Sequence, residues 1–285
     1  MTEAPNTATR DGIQVLGLCR FSVPSIGAFQ IEHDTIEERR QMLYDPARLN
    51  QRFIWFEHVL LPGIAAQKDK AFKLMVLLGE DFPREHLSRM HALTGGLPQI
   101  VLSFAPALHH RKICAAAMAE HLDPDAEVVV QFRLDDDDGV AIDFTRRLRR
   151  DFRRVRSVFK NEGILAIDYG KGFVIAHEGD QLSCRPRLAS YWAPGLAICL
   201  RPDDGRQILD FEHHLVWQQM PTLTMSDSIM FLRGSHGTND SRVPIRGEVF
   251  PLPDEPVKKL IRKRFAVDLD GFSRALGAEL KNSAD

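Results

Sequence analysis

Along the 285-residue chain, short and nearly continuous apolar runs are separated by longer stretches whose apolar residues recur every three or four positions. Ile13-Gln-Val-Leu-Gly-Leu-Cys19, Lys73-Leu-Met-Val-Leu-Leu-Gly79, Gln99-Ile-Val-Leu-Ser-Phe104 and Val128-Val-Val-Gln-Phe-Arg-Leu134 read as strands. Their scarcity of polar positions is that of strands covered on both faces, as in a parallel sheet. Between them, Phe53, Phe56, Leu60 and Ile64 recur at helical spacing and predict a core-packing helix over 48–61. Shorter helices are expected over 36–42, over 84–93 behind Pro83, and over 113–121. Phe144, Leu148, Phe152, Val155 and Phe159 form one stripe, so 143–160 is read as a helix ended by Gly163. Arg147, Arg150 and Arg154 alternate with that stripe and are expected on a solvated outer face. Alternating strands and helices predict an α/β fold: a mixed, mostly parallel central sheet flanked by helices.

Past Gly163 the pattern changes. Residues 164–169, 173–177 and 196–200 read as short strands, with Lys171-Gly172 as a hairpin turn between the first two. Met230-Phe-Leu-Arg233 is a further strand, and 258–265 and 272–280 are expected to be helical. With no Pro/Ser/Gly-rich linker, residues 13–285 read as one domain with a 13–160 half and a 161–285 acceptor half. The polar residues 1–12 are expected to form a disordered tail.

Composition narrows the function classes without selecting one. A formal net charge of -2 gives no global reason to expect a nucleic-acid or membrane partner. Cys19, Cys114, Cys184 and Cys199 are scattered, without a Cys-x-x-Cys pair, which suits a reducing cytoplasm better than a zinc site or a disulfide scaffold. No apolar run reaches the ~18 residues of a membrane span, so no transmembrane segment is expected.

The chemistry is concentrated where the Val128 strand ends, in Asp135-Asp-Asp-Asp138 followed by Gly139. Open α/β sheets bind ligands at the carboxyl ends of their strands. Four adjacent carboxylates repel one another unless a cation is present, and hard oxygen ligands suit Mg²⁺ or Mn²⁺ carrying a phosphate. An acidic surface turn is the plain alternative. A second acidic stretch, Asp210-Phe-Glu212, precedes His213-His214; in a helix, Asp210 and His214 would share a face.

The chain also carries Leu16-Gly-Leu-Cys-Arg-Phe-Ser22, Arg52-Phe-Ile-Trp-Phe-Glu57 followed by Leu61-Pro62, Gln67, and Phe72-Lys-Leu-Met-Val-Leu-Leu78. Arg133-Leu-Asp-Asp-Asp-Asp138 and Ser235-His-Gly-Thr-Asn-Asp-Ser241 follow in order. In this sequence of motifs, over residues 13 to 270, the chain resembles the bacterial rhamnosyltransferase family of GT-A-like glycosyltransferases. The resemblance implies a GT-A-like sheet and transfer of a sugar from a nucleoside-diphosphate donor to a glycan or other small acceptor. It implies Mn²⁺ or Mg²⁺, with Asp137 as a direct ligand and Asp138 and His236 completing the metal set. Asp136 with Asp138 is the other frame of the run. Arg20, Phe21, Arg133, Asp135 and Asp136 then face the nucleotide sugar, although a surface Arg20 and a core Phe21 are equally compatible with the sequence. Gly234 and Gly237 would let the backbone approach the diphosphate. An inverting transfer needs a general base, for which Asp210 and Glu212 are the candidates. Two other readings remain: a two-metal phosphoester enzyme, in which Asp168 or Asp227 joins the aspartate run, and a non-catalytic protein gripping an acidic partner through the arginine-rich helix.

Overall fold

The computed structural model describes residues 8–27, 35–178, 181–237 and 255–282. Its strands are β1 (Thr9–Arg10), β2 (Ile13–Arg20), β3 (Lys73–Gly79), β4 (Ile100–Ala105), β5 (Val128–Asp135) and β6 (Gly139–Val140). They continue with β7 (Ile164–Tyr169), β8 (Lys171–Glu178), β9 (Gln181–Leu188), β10 (Leu196–Leu200), β11 (Thr222–Met225) and β12 (Phe231–Ser235). The main sheet runs β11-β7-β10-β5-β2-β3-β4, with β1 paired to β2. All its strands are parallel except β1 and β10, the latter lying antiparallel between β5 and β7. This is the mixed, mostly parallel sheet expected.

Helices cover both faces because the buried strands alternate their side chains between them. Val15, Cys19, Val130, Phe132 and Leu134 point into a large core. There they meet α2 (Pro46–Trp55), α6 (Phe144–Glu162) and the helix Leu269–Asn282. Leu16, Leu18, Val129 and Ile198 point the other way, onto α5 (numbered after α3, Leu61–Ala65, and α4, Arg84–Thr94), which spans His110–Ala119, and onto residues 208–220. The segment preceding α2 is α1 (Ile36–Leu43), capped by Thr35 and Glu38 in a reciprocal box.

Helix α2 passes through a π turn, Phe56–Leu60, directly into α3. The widened turn lies against the chain just after β5. A Cβ on Gly63 would stand 2.5 Å from the Val140 carbonyl oxygen, and one on Gly139 would stand 3.0 Å from that of Val59. Glycine at these positions permits the close approach, and that approach carries the α2 side chains to the end of β5.

Two expectations are corrected. The Lys171-Gly172 hairpin does not form: β7 stays in the main sheet, and β8 begins at Lys171 in a second sheet ordered β6-β12-β8-β9. Gly172 is needed there because a Cβ would lie 2.4 Å from the Phe231 ring. Strand β9 is not legible from the sequence, since Pro186 and its arginines interrupt the apolar pattern. Within the expected disordered tail, residues 8–12 are structured: Ala8 is buried and Thr9–Arg10 pair with Gln14–Ile13. Residues 1–7 lie outside the described residues. Strands β7, β10 and β11 complete the main sheet from beyond residue 160, so the two sheets do not divide the chain at that point.

Candidate functional site

Strand β5 ends one residue into the aspartate run, and a tight turn follows. The Asp138 amide donates to the Asp135 carbonyl at 3.0 Å, while the Asp135 amide donates to the Asp138 carboxylate at 3.1 Å. Parallel pairing places Arg20, at the end of β2, beside Asp135, and its Nη2 donates to Asp135 Oδ1 at 3.1 Å. The chain then enters β6, which pairs with β12 and so brings residues about a hundred positions later to the same edge. As expected, His236 arrives beside the run: its Nε2 lies 3.2 Å from Asp137 Oδ2.

The four aspartates point different ways. Asp136 is fully buried and turns toward α2, where Arg52 Nε donates to its Oδ2 at 2.7 Å and Arg52 Nη2 pairs with its other oxygen. Its expected place against a nucleotide sugar is therefore corrected: the carboxylate is an internal anchor. Asp137 packs its side chain on Gly234, where a Cβ would come within 2.6 Å of it. Gly234 thus makes room for a carboxylate rather than for a diphosphate. Asp135, Asp137 and Asp138 each offer one oxygen, and these three oxygens lie within 4.8 Å of one another. Among the described residues this is the group that could hold a metal ion. His236, which the sequence reading assigned to the metal set, lies outside this trio; its ring stacks on Trp55 at 4.7 Å with Nε2 facing both Asp137 and Arg52.

Electrostatics separate these groups further. Burial opposes ionisation of Asp137, but Arg52, His236 and Arg233 outweigh it and hold the carboxyl well below the usual carboxylate range. Asp135 is also held low, burial being outweighed chiefly by Arg20. Asp138 goes the other way: burial, with repulsion from Asp137 and Asp135, pushes it well above the usual range against the pull of Arg233. Its Oδ1 is buried and has no hydrogen-bond partner in the structure. Arg233 in turn is held above the usual guanidinium range by the three carboxylates, despite burial. A divalent cation fits this arrangement, because it would supply the charge that Asp138 lacks and a partner for its orphaned oxygen.

The remaining expected residues divide. Arg133 lies half-buried close to Asp135 and Arg233. Phe21 is corrected: it is fully buried among Phe53, Phe56 and Phe82, at 4.8, 5.3 and 6.0 Å, and lines no base pocket. The 210–214 segment is not one helix but two 3₁₀ turns, Ile208–Asp210 and His213–Leu215. Asp210 caps the first by accepting from the Gln207 amide at 2.9 Å. Glu212 is exposed and pairs only loosely with His214, at 3.7 Å. Next to it, His213 is pushed down by burial first and then by the charge of Arg133. Asp168, at the carboxyl end of β7, accepts from the Tyr191 amide at 2.8 Å and is raised by burial to about 6. Asp227 is gripped by Arg147 at 2.6 and 2.8 Å.

Sequence reading missed Arg52 and Arg233. Arg52 carried a signal: with Leu49, Phe53 and Phe56 it falls at helical spacing on the buried stripe, where an arginine requires an internal acid. Arg147, assigned to a solvated face, is buried, and so is its neighbour Arg149, which pairs with Asp69 at 3.0 Å.

The sequence matches the family described as "Putative rhamnosyl transferase" over residues 14–248. No curated protein matches it. Among solved structures, the chain is similar to TarS 1-349 of S. aureus in complex with UDP-GlcNAc, with 12% identity and a TM-score of 0.43 over 79% of this chain and 59% of that one. It thus spans about three fifths of that fragment. WbbM, a bifunctional glycosyltransferase, shows 13% identity and a TM-score of 0.32 over 72% of this chain and 32% of that one. The 4-diphosphocytidyl-2C-methyl-D-erythritol synthase of Anaerococcus prevotii shows 8% identity and a TM-score of 0.31 over 85% of this chain and 95% of that one.

Proposed function

The chain belongs to the rhamnosyl transferase family, and from that premise we propose that it transfers a sugar from a nucleoside-diphosphate donor bound at the aspartate turn to an acceptor hydroxyl, with rhamnose the first sugar to test. The observation that supports this reading is the trio Asp135, Asp137 and Asp138, converging at the carboxyl edge of β5 among Arg20, Arg133 and Arg233. These three carboxylates would hold Mn²⁺ or Mg²⁺, and a bound divalent ion supplies charge neutralisation for a departing diphosphate. The arginines add fixed positive charge around the same place. In the transfer, the acceptor oxygen bonds to the anomeric carbon as the carbon–oxygen bond to the diphosphate breaks, and the bonding pair leaves with the diphosphate. The acceptor proton goes to a carboxylate. Glu212 suits that role better than Asp210, because Asp210 is committed to the Gln207 amide whereas Glu212 is exposed beside His213.

A two-metal phosphoester site needs Asp168 or Asp227 among the converging carboxylates. Both are engaged elsewhere, by the Tyr191 amide and by Arg147. Arg147 and Arg149 are buried, which removes them from any acidic-partner grip by α6. Among the described residues no helix is long and apolar enough to cross a membrane.

Acceptor-free hydrolysis of UDP-, GDP- and dTDP-sugars, with Mn²⁺ and with EDTA, tests the proposal. One donor class should be hydrolysed with Mn²⁺ and spared with EDTA. Absence of hydrolysis and of nucleoside-diphosphate binding across the panel, or hydrolysis indifferent to EDTA, would overturn it.

A further inference from the structure

The second sheet has one face on the large core and one face turned away from it. Phe173, Ile175, Leu182, Cys184 and Leu232 point into the core. Alternation sends Arg185 and Arg187 of β9 and Phe231 and Arg233 of β12 to the other face. Register confirms the grouping: Val174 of β8 lies between Arg185 and Arg233, and Gly172 lies between Arg187 and Phe231. Trp192, half-buried, stands over this face, tilted against Phe231 at 5.9 Å. The guanidinium carbons of Arg187 and Arg233 sit 5.3 and 5.5 Å from its ring centre.

Two of these arginines are left chemically incomplete. Arg185 Nε and Nη1 and Arg187 Nε are buried and have no hydrogen-bond partner in the structure. Neither side chain forms an ion pair with an acid among the described residues. Buried donors of a charged group that lack acceptors are costly, and Arg187, with Arg233, stands against an indole ring, the kind of surface on which sugar rings and cations stack. Arg233 ties the patch to the aspartate turn, since Asp138, Asp135 and Asp137 are its charge partners. Arg185 is two strands further out, about 10 Å at ordinary strand spacing. That distance lies beyond a diphosphate held by the turn and on the side of the second sheet.

We propose that the face formed by Arg185, Arg187 and Trp192 is the acceptor subsite and that it takes a glycan bearing an anionic group, a carboxylate or a phosphate. Trp192 stacks on the sugar and the two arginines satisfy its anion, with Arg233 at the boundary with the donor. The inference rests on the donor reading of the aspartate turn only for the word acceptor; the anion site stands on its own geometry.

The test is calorimetric titration of the full chain. Methyl glucuronide, glucose 6-phosphate and methyl glucoside are titrated separately, each with and without whichever of UDP, GDP or dTDP binds in Mn²⁺. At least one anionic sugar should bind roughly tenfold or more tightly than the neutral one, and more weakly as salt rises. Binding should persist with the nucleotide present. Arg185→Gln with Arg187→Gln should erase that preference and leave nucleotide affinity within about twofold. Arg185→Gln alone, which leaves the Trp192 stack intact, should lose part of the preference and guards against misfolding of the double variant. Equal binding of charged and neutral sugars, no binding of either anionic sugar, or displacement of the anionic sugar by nucleotide would overturn the proposal, the last by assigning the arginines to the donor diphosphate. If no nucleotide binds while the anion preference and its loss in the variants are observed, the donor reading fails and the anion site stands.

Discussion

The aspartate turn at 135–138 and the acidic stretch at 210–212 contain the same kind of side chain, but the protein treats them differently. In the turn, three of four carboxylates are buried and each has a separate fate: Asp136 is neutralised by Arg52, Asp137 is held ionised by Arg52 and His236, and Asp138 is pushed toward protonation. In the 210–212 stretch one carboxylate caps a turn and the other faces water. An acid in water needs no partner, whereas a buried one must find a cation, a proton or a donor. Dense charge with one member unsatisfied is therefore the stronger indication of a ligand, and a surface acid pair indicates little by itself.

The largest effect expected from breaking this contrast is at Arg52. Arg52→Met leaves Asp136 buried without its partner and should cost about 3–5 kcal/mol of stability, read by urea unfolding. A loss below about 1 kcal/mol would mean that the pair does not anchor the turn. Asp137→Asn should fold and yet lower Mn²⁺-dependent donor hydrolysis by about 10³-fold, in line with loss of one charge-stabilising group. Unchanged metal- and nucleotide-dependent melting in that variant would move the site to another pair in the run.

Within the second stretch, Glu212→Gln should lower transfer by about 10²-fold or more with donor binding unaltered, as expected of a general base. Asp168 gives a buried acid without a cation. Its pKa, raised to about 6 by burial, means that the folded state binds this proton more tightly than the unfolded chain. Its effect on stability is absent well below the unfolded value and grows as pH rises from about 4 through 6. Asp168→Asn should therefore stabilise the protein by on the order of 2 kcal/mol at pH 8 and by little at pH 4. A variant with the same stability difference at both pH values would show that Asp168 does not titrate in this window. The smallest effect is at Asp210: its replacement by Ala should cost about 1 kcal/mol through loss of the cap and leave transfer nearly unchanged. A loss of transfer as large as that of Glu212→Gln would reverse the assignment of the base.

Much of this was legible in the chain. The strands β3, β7 and β10 coincide with their apolar runs, and β5 ends where its acidic run begins. Local composition is enough there, because a strand buried on both faces must be apolar and its end must be polar. His236 does lie beside the aspartate run, but it gets there because β12, in the second sheet, pairs with β6, not as the end of a strand in the parallel sheet. Gly234, by contrast, was read for a diphosphate and serves Asp137, and Phe21 and Asp136 were read outward and point inward. For an isolated residue at a strand end, either direction is compatible with the sequence.

By itself, the sequence determined that the chain is an α/β protein with a mostly parallel sheet and that a dense run of acids follows β5. Periodicity and charge density are local properties and survive in one dimension. Only the tertiary structure decided which aspartates converge, that Arg52 and Arg233 balance them, and that Arg185, Arg187 and Trp192 share a face of a second sheet. The pairings of Arg52 and Arg233 with the aspartates join residues 84 to 98 positions apart, and their energetics depend on burial and mutual distance, which arise only once the chain has packed.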